Sequence, residues 1–132
     1  MIQPAKIQVR FSDLDVLGHV NNNIYFSYFE MARIHYLNEL LGTDWNWEKF
    51  SFVLVKNEVE YLKSVLLNHE PLIYVYIDTI GTKSFSLLYE LTVDGELFAH
   101  GKSIQVCYDP SVKQTIDIPD AMKLVLTKIK KA

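Results

Sequence analysis

The chain has 132 residues, 49% of them hydrophobic and 13% aromatic, with a net charge of -3 and one cysteine. That length supports one ordinary core and not two comfortable ones, so a single domain over residues 1–132 is expected. The acidic balance excludes an ordinary nucleic-acid binder, which carries surplus Lys and Arg, and no apolar run approaches the roughly 18 residues of a membrane span.

Cys107 has no partner for an internal disulfide, and the start "MIQPAKIQVRF" lacks the charged-then-apolar order of a signal peptide. A reducing, cytoplasmic setting is the expectation. The basic cluster Lys128, Lys130 and Lys131 reads as a solvated tail.

Residues 5 to 11, "AKIQVRF", alternate apolar and polar side chains at Ile7, Val9 and Phe11, the period of a half-buried strand. A polar loop, "SDLDVLGHVNNN", follows at positions 12 to 23. The period then changes to that of a helix: Ile24, Tyr28, Met31 and Ala32 form one row, Ile34, Leu37 and Leu41 a second, and Gly42 supplies the stop. Asn21, Asn22 and Asn23 are all credible N-caps. This helix is apolar around most of its circumference, which predicts that it is enclosed on several sides.

From about position 52 to 108 four strands are expected: "FVLVKNEVEYLKSV", "PLIYVYIDTIGT", "SFSLLYELTV" and "ELFAHGKSIQVCY". Asp94-Gly95 between the last two is a strong hairpin signal. Residues 119 to 130 read as a short terminal helix with Pro119 at its start. In "LIYVYI" both alternating sets, Leu72, Tyr74, Tyr76 and Ile73, Val75, Ile77, are apolar, so a second face or an edge is buried too. A homo-oligomer, dimer or tetramer, is expected on that ground.

The order strand, long helix, antiparallel meander is an α+β pattern. The segment "RFSDLDVLGHVNNNIYFSYFEMAR", residues 10 to 33, resembles the N-terminal signature of hotdog-fold acyl-CoA thioesterases of the 4-hydroxybenzoyl-CoA thioesterase type. Its "DLDVLGHVNN" is also similar to plant acyl-ACP thioesterases, and "KSF" at Lys83 to Phe85 is a weaker second point of likeness. The resemblance implies a long central helix wrapped by a curved antiparallel sheet of about five strands. It implies hydrolysis of a thioester, with the second acid of the D-x-D pair, Asp15, as the catalytic carboxylate. It further implies that the carbonyl points at the amino end of the helix, where the position seven residues after the acid, here Asn22, donates its backbone N–H. Some members carry a histidine at that position. The plant enzymes add a histidine four residues after the aspartate, matched by His19, and an asparagine two residues after it, where this chain has Leu17.

The residues themselves allow this chemistry. Attack on a thioester carbonyl needs a base or nucleophile and a site for the developing oxyanion. Asp15 can act as general base on water, worth roughly 10²–10⁴-fold, or attack directly to form a mixed anhydride. Unpaired N–H groups of a helix's first turn carry partial positive charge and form a ready oxyanion site, which Asn22 and Asn23 would supply. Gly18 suits a tight turn beside a substrate, and His19 could orient a water or the leaving thiol. No cofactor is required beyond coenzyme A as part of the substrate, and no metal. Coenzyme A's phosphates would need local cations, for which Lys56, Lys63, Lys83 and Lys102 are candidates, with Ser84 beside Lys83.

Other features have plainer readings. Asp13 reads as a turn or capping residue. A calcium loop counted from Asp13 would need ligands at Leu17 and Ile24, which have none to offer. "GKS" at Gly101 to Ser103 lies in a strand and lacks the glycine spacing of a phosphate loop. His35, His69 and His100 are isolated in sequence, and Cys107 reads as a small buried apolar residue. Glu30, a carboxylate inside so apolar a helix, is the strongest competitor for a catalytic role, but a structural pairing with Arg33 three residues on is the preferred reading, and Glu58 and Glu60 are expected to be structural or rim acids. Trp45, Trp47 and Phe50 form an aromatic cluster that closes the core or lines an acyl tunnel.

The expected function is therefore an acyl-CoA thioesterase acting on a fatty or aromatic acyl group. Two alternatives stay open: an acyl-ACP thioesterase, which needs a basic docking face, and a non-catalytic acyl-binding hotdog module, which predicts Asp15 paired away from any pocket.

Overall fold

A computed structural model describes all of residues 1–132. In chain order it contains β1 (Ala5–Lys6), a 3-10 turn (Phe11–Asp13), α1 (Ile24–Leu41), β2 (Ser51–Tyr61), β3 (Leu72–Ile80), β4 (Ser84–Val93), β5 (Glu96–Asp109), β6 (Gln114–Thr115), α2 (Asp120–Leu126) and a closing 3-10 turn (Thr127–Ile129). The sheet is antiparallel in the order β1-β3-β4-β5-β2, and β6 adds two residues beside β5.

The long central strands form where β-branched and aromatic residues are dense, and they turn where the sequence signals it. Asp94 and Gly95 both take positive φ, 51° and 81°, and Val93 pairs with Glu96 across that two-residue turn. α1 touches β1 and β3 at one edge of the sheet and β2 at the other. A flat sheet could not reach it from both edges, so the sheet curves around the helix as the hotdog arrangement requires.

One cluster of buried side chains joins the inner sheet face to α1. Its centre is a close approach: Phe29 stacks on Tyr89 with ring centroids 4.7 Å apart and lies over Gly101. A Cβ at Gly101 would fall 2.5 Å from Phe29 Cε2 and 2.5 Å from the Glu58 carbonyl oxygen, so only glycine lets the helix settle there. α2 closes the end near residues 82 and 107, with Met122 against Cys107 and the Ile118 N–H donating to the Thr82 carbonyl.

Four expectations need correction. The first strand does not run to Phe11. Ile7 and Val9 stay buried, but the chain leaves the ladder, and Phe11 is 81% exposed in a 3-10 turn drawn inward by Asp13. α1 is not enclosed on several sides within one subunit. Met31 and Ile34 are 47% and 50% exposed on a stripe shared with Ser27, Glu30 and Asn38. Glu30 and Arg33 do not pair: Glu30 is exposed, while Arg33 turns inward and donates to the Tyr89 hydroxyl at 3.0 Å. The terminal helix does not run to 130: with Pro119 at its N-cap, α2 covers Asp120–Leu126 and gives way to the 3-10 turn Thr127–Ile129. No helix is long and apolar enough to cross a membrane.

β2 is an open edge. Val53, Leu54 and Val55 are 40%, 41% and 57% exposed, and their outer backbone groups face no strand. On the opposite edge, Ile73, Val75 and Ile77 of β3 are buried while Leu72, Tyr74 and Tyr76 are half-buried, Tyr76 lying under the Lys131 ammonium.

Candidate active site

The polar loop folds into a tight reversal. Leu14 and Val20 face each other as an antiparallel bridge, the Asp15 N–H donates to the His19 carbonyl at 2.8 Å, and the Gly18 N–H donates to the Asp15 carbonyl at 3.0 Å. Gly18 takes φ +78°, which favours glycine at this corner. The reversal is tied to the body of the protein by the Val20 N–H, which donates to the Val65 carbonyl at 2.8 Å.

The two acids of the D-x-D pair have opposite environments. Asp13 is 1% exposed. Its Oδ2 accepts from the Tyr28 hydroxyl at 2.6 Å and the Arg10 N–H at 3.0 Å, and its Oδ1 accepts from the Arg10 guanidinium at 3.2 Å. Burial by itself raises this carboxyl, but the Tyr28 hydroxyl, the Arg10 N–H and the Arg10 guanidinium outweigh it and hold the group below its usual 3.8. Asp15 is exposed. Its Oδ1 accepts from the Leu17 N–H at 2.9 Å and the His19 N–H at 3.3 Å, which orients the carboxylate and leaves Oδ2 outside the loop's bonding.

Asn21 to Asn23 lead into α1. The Asn21 N–H donates to the Asp13 carbonyl and the Ile24 N–H to the Asn21 carbonyl, each at 2.9 Å, while Asn21 Oδ1 accepts from the Asn23 N–H at 3.1 Å. Asn23 holds the N-cap position, and its own side chain makes no capping bond. The Asn22 N–H enters none of the loop's backbone bonds, and the Asn22 carbonyl accepts from the Tyr61 hydroxyl at 2.9 Å. Contrary to expectation, Asn23 offers no free amide, because its N–H is held by Asn21 Oδ1; an exposed carboxylate and the one free amide of Asn22 share this short loop, a pairing suited to attack on a carbonyl and to holding the resulting oxyanion.

One loop gathers Asp15, Gly18, His19, Asn22 and Asn23. Lys63 follows close behind, two residues beyond Tyr61, paired with Glu96. Lys56 sits in mid-strand, bonded to Glu58 at 2.8 Å. Lys83 and Ser84 lie at the far end of the sheet: Tyr61 registers with Ala99 on β5 and Ser84 with Val106, seven residues along, about 24 Å away. Lys83 is paired with Asp117 and Lys102 with Asp78. Tyr28 and Tyr61 are contacts that sequence spacing does not reveal, because each depends on tertiary placement; Arg10 is a local contact, three residues before Asp13.

Asp15 lines neither of two surface clefts of about 800 Å³ each, one beside Tyr36 and Tyr74 and one beside His69 and Asp94. Next to Asp15 in the chain the surface is apolar and open: Val16 is 102% exposed and Leu17 73%. No group of three or more His, Cys, Asp or Glu side chains is placed to hold a metal ion.

Known proteins share this sequence pattern and fold. The family model described as Thioesterase-like superfamily matches residues 9–126. The chain is 37% identical over 84 residues to YsmA, an uncharacterized protein of Bacillus subtilis (strain 168), the match taking in 64% of this chain and 56% of that one. It therefore spans little more than half the length of that relative. It is 28% identical over 119 residues to the 1,4-dihydroxy-2-naphthoyl-CoA hydrolase of Nostoc punctiforme, covering 85% of this chain and 78% of the hydrolase. A thioesterase of Thermus thermophilus complexed with coenzyme A and zinc superposes with a TM-score of 0.85 and 33% identity, covering 97% of this chain and 93% of that one.

Proposed function

The chain belongs to the thioesterase-like superfamily, and from that premise we propose that it is an acyl-CoA thioesterase, with residues 1–132 forming one catalytic domain around Asp15. The observation that carries the proposal is the oriented, exposed Asp15 carboxylate on the same loop as the unbonded Asn22 N–H. With the acyl carbonyl oxygen on the Asn22 amide, at the positive end of the α1 dipole, the developing negative charge meets a donor not engaged by the loop. Asp15 then acts in one of two ways. As a base it takes a proton from water, the water oxygen adds to the carbonyl carbon, and collapse breaks the C–S bond as the thiolate takes the proton back. As a nucleophile it forms an anhydride, expels the thiolate and is regenerated by water. Label in Asp15 after a single turnover in ¹⁸O-water marks the second route with water opening the anhydride at the Asp15 carboxyl carbon, since the first route and opening at the acyl carbonyl both put the label in the product acid.

The acyl group is fatty or aromatic. Binding to coenzyme A by the Thermus relative and the thioester substrate of the Nostoc relative support the carrier and the reaction class. The acyl-carrier-protein alternative is less well supported, because Lys56, Lys63, Lys83 and Lys102 each face an acid. A non-catalytic module predicts Asp15 paired away from any pocket; Asp15 lines neither of the two clefts, but it makes no ion pair and its Oδ2 stays outside the loop's bonding.

The active form in this reading is a homo-oligomer joined through β2. Paired antiparallel with a second copy about a two-fold axis at Asn57, Lys56 meets Glu58 of the other copy and Glu58 meets its Lys56. Exposed Val53, Leu54 and Val55 then lie opposite Val59 to Tyr61. In that register Tyr61 faces Val53 of the second copy, whose neighbours across the sheet are Val106 and then Ser84. The second copy's Lys83-Ser84 turn thus comes to about 14 Å from Tyr61, three strand spacings, against about 24 Å within one subunit.

The direct test is release of free thiol from a panel of acyl-CoA esters, with Asp15→Asn as control. A loss of about 10²-fold or more in kcat is expected. Wild-type activity no greater than that of Asp15→Asn on every acyl group would overturn the assignment.

A further inference from the structure

We infer that two tyrosine hydroxyls, Tyr28 on α1 and Tyr61 at the end of β2, are positioning residues that set the spacing between the Asp15 carboxylate and the Asn22 amide. The inference rests on the hydrolase reading for its kinetic consequence and on geometry alone for the spacing.

The loop is held from outside at few points. On the acid side, the Tyr28 hydroxyl grips Asp13 Oδ2 at 2.6 Å, and the Asp13 carbonyl in turn accepts from the Asn21 N–H at 2.9 Å. Asp13 therefore couples helix, acid-bearing reversal and asparagine turn at one buried point. On the amide side, the Tyr61 hydroxyl donates to the Asn22 carbonyl at 2.9 Å, and this bond from β2 anchors a residue whose own N–H is unbonded in the loop.

The two tyrosines belong to one packed row. Tyr25 stands between them, edge-on to Tyr61 at 4.9 Å and 6.4 Å from Tyr28, and its hydroxyl accepts from the Val65 N–H at 3.4 Å. Val65 is the residue whose carbonyl holds Val20 at the base of the reversal. The row thus links both ends of the loop to a common support. Burial pushes both hydroxyls' pKa values up, which favours the protonated, donating form.

Phe substitutions remove only the hydroxyl and keep the ring packing. In Tyr61→Phe, kcat on an accepted acyl-CoA is expected to fall about tenfold with KM within about threefold, because displacement of a reacting group by a fraction of an ångström acts on the transition state. Tyr28→Phe is expected to behave alike. Since both bonds define one spacing, the double variant should lose clearly less than the product of the single losses, whereas two merely structural defects would multiply. Backbone ¹⁵N relaxation supplies a readout independent of activity: the order parameter of Asn22 should drop from about 0.85 toward about 0.6 in Tyr61→Phe while α1 stays rigid. An unchanged Asn22 order parameter, an unchanged kcat, or kinetic losses that multiply would each overturn the inference. Absence of any thioester hydrolysis by the wild-type protein would instead remove the hydrolase reading and leave the order parameters alone to decide the positioning claim.

Discussion

Replacing Asp13 by Asn keeps the shape of a buried side chain and removes its charge, which makes it a sensitive probe of how the loop is held. The amide can keep its oxygen toward Tyr28 and the Arg10 N–H, retaining those two bonds in neutral form, about half as strong as the charge-assisted originals. Its NH₂ then faces the Arg10 guanidinium, a donor against a donor, and Arg10, whose side chain is 65% exposed, swings into water. Losing about 0.5–1 kcal/mol on each retained bond and about 0.5 kcal/mol on the solvent-screened ion pair gives a cost of about 2 kcal/mol. For a chain of 132 residues, unfolding entropy of about 2.1 cal/mol/K per residue turns this into a fall of about 7 °C in Tm. The pH dependence follows from the depressed carboxyl: its stabilisation is in place above the unfolded value and is lost as pH falls through the folded one. The wild-type advantage should therefore be full above about pH 5 and shrink below about pH 4. Urea denaturation of both proteins at pH 7 and pH 3 measures this. A difference under about 0.5 kcal/mol at pH 7, or one that does not narrow at pH 3, would refute the reasoning.

Three further outcomes are expected. Gly101→Ala forces a methyl to within 2.5 Å of both Phe29 and the Glu58 carbonyl, so it should cost about 2–3 kcal/mol by thermal or urea unfolding; an unchanged midpoint would show that α1 does not rest on that strand. The Cys107 thiol is fully buried and pushed up by burial to about 11, so at pH 8 it should react with a disulfide reagent only as the chain unfolds, and rapid native labelling would contradict its placement. Val53→Lys with Val55→Lys puts two cations on the open β2 edge and should yield monomers by sedimentation with hydrolysis greatly reduced; an unaltered oligomer would exclude that edge as the interface.

Much of the architecture is legible without coordinates. α1 ends where Gly42 stops its two apolar rows, β4 occupies the stretch between Lys83 and the Asp94-Gly95 turn, and the aromatic cluster of Trp45, Trp47 and Phe50 assembles, with Trp45 donating to the Phe50 carbonyl at 2.8 Å. The loop residues Asp15, Gly18, His19 and Asn22 group together because they are neighbours in sequence, and a tight reversal keeps them neighbours in space. Lys83 and Ser84 carry no such guarantee. Strand spacing puts them at the other end of the sheet.

Local sequence determined what depends on local forces: helical and strand periods, turn residues at the hairpin, and a polar run that cannot join the core. Tertiary structure alone decided which acid of "DLD" is buried. Two residues apart, Asp13 meets Tyr28, fifteen positions away, while Asp15 meets water and its own loop. It likewise decided that Arg33 reaches across the core to Tyr89 on β4 instead of to Glu30 one helical turn back. The reason is physical. A charge's fate depends on the donors and the solvent that packing delivers to it, and those partners are specified by how the sheet closes on the helix.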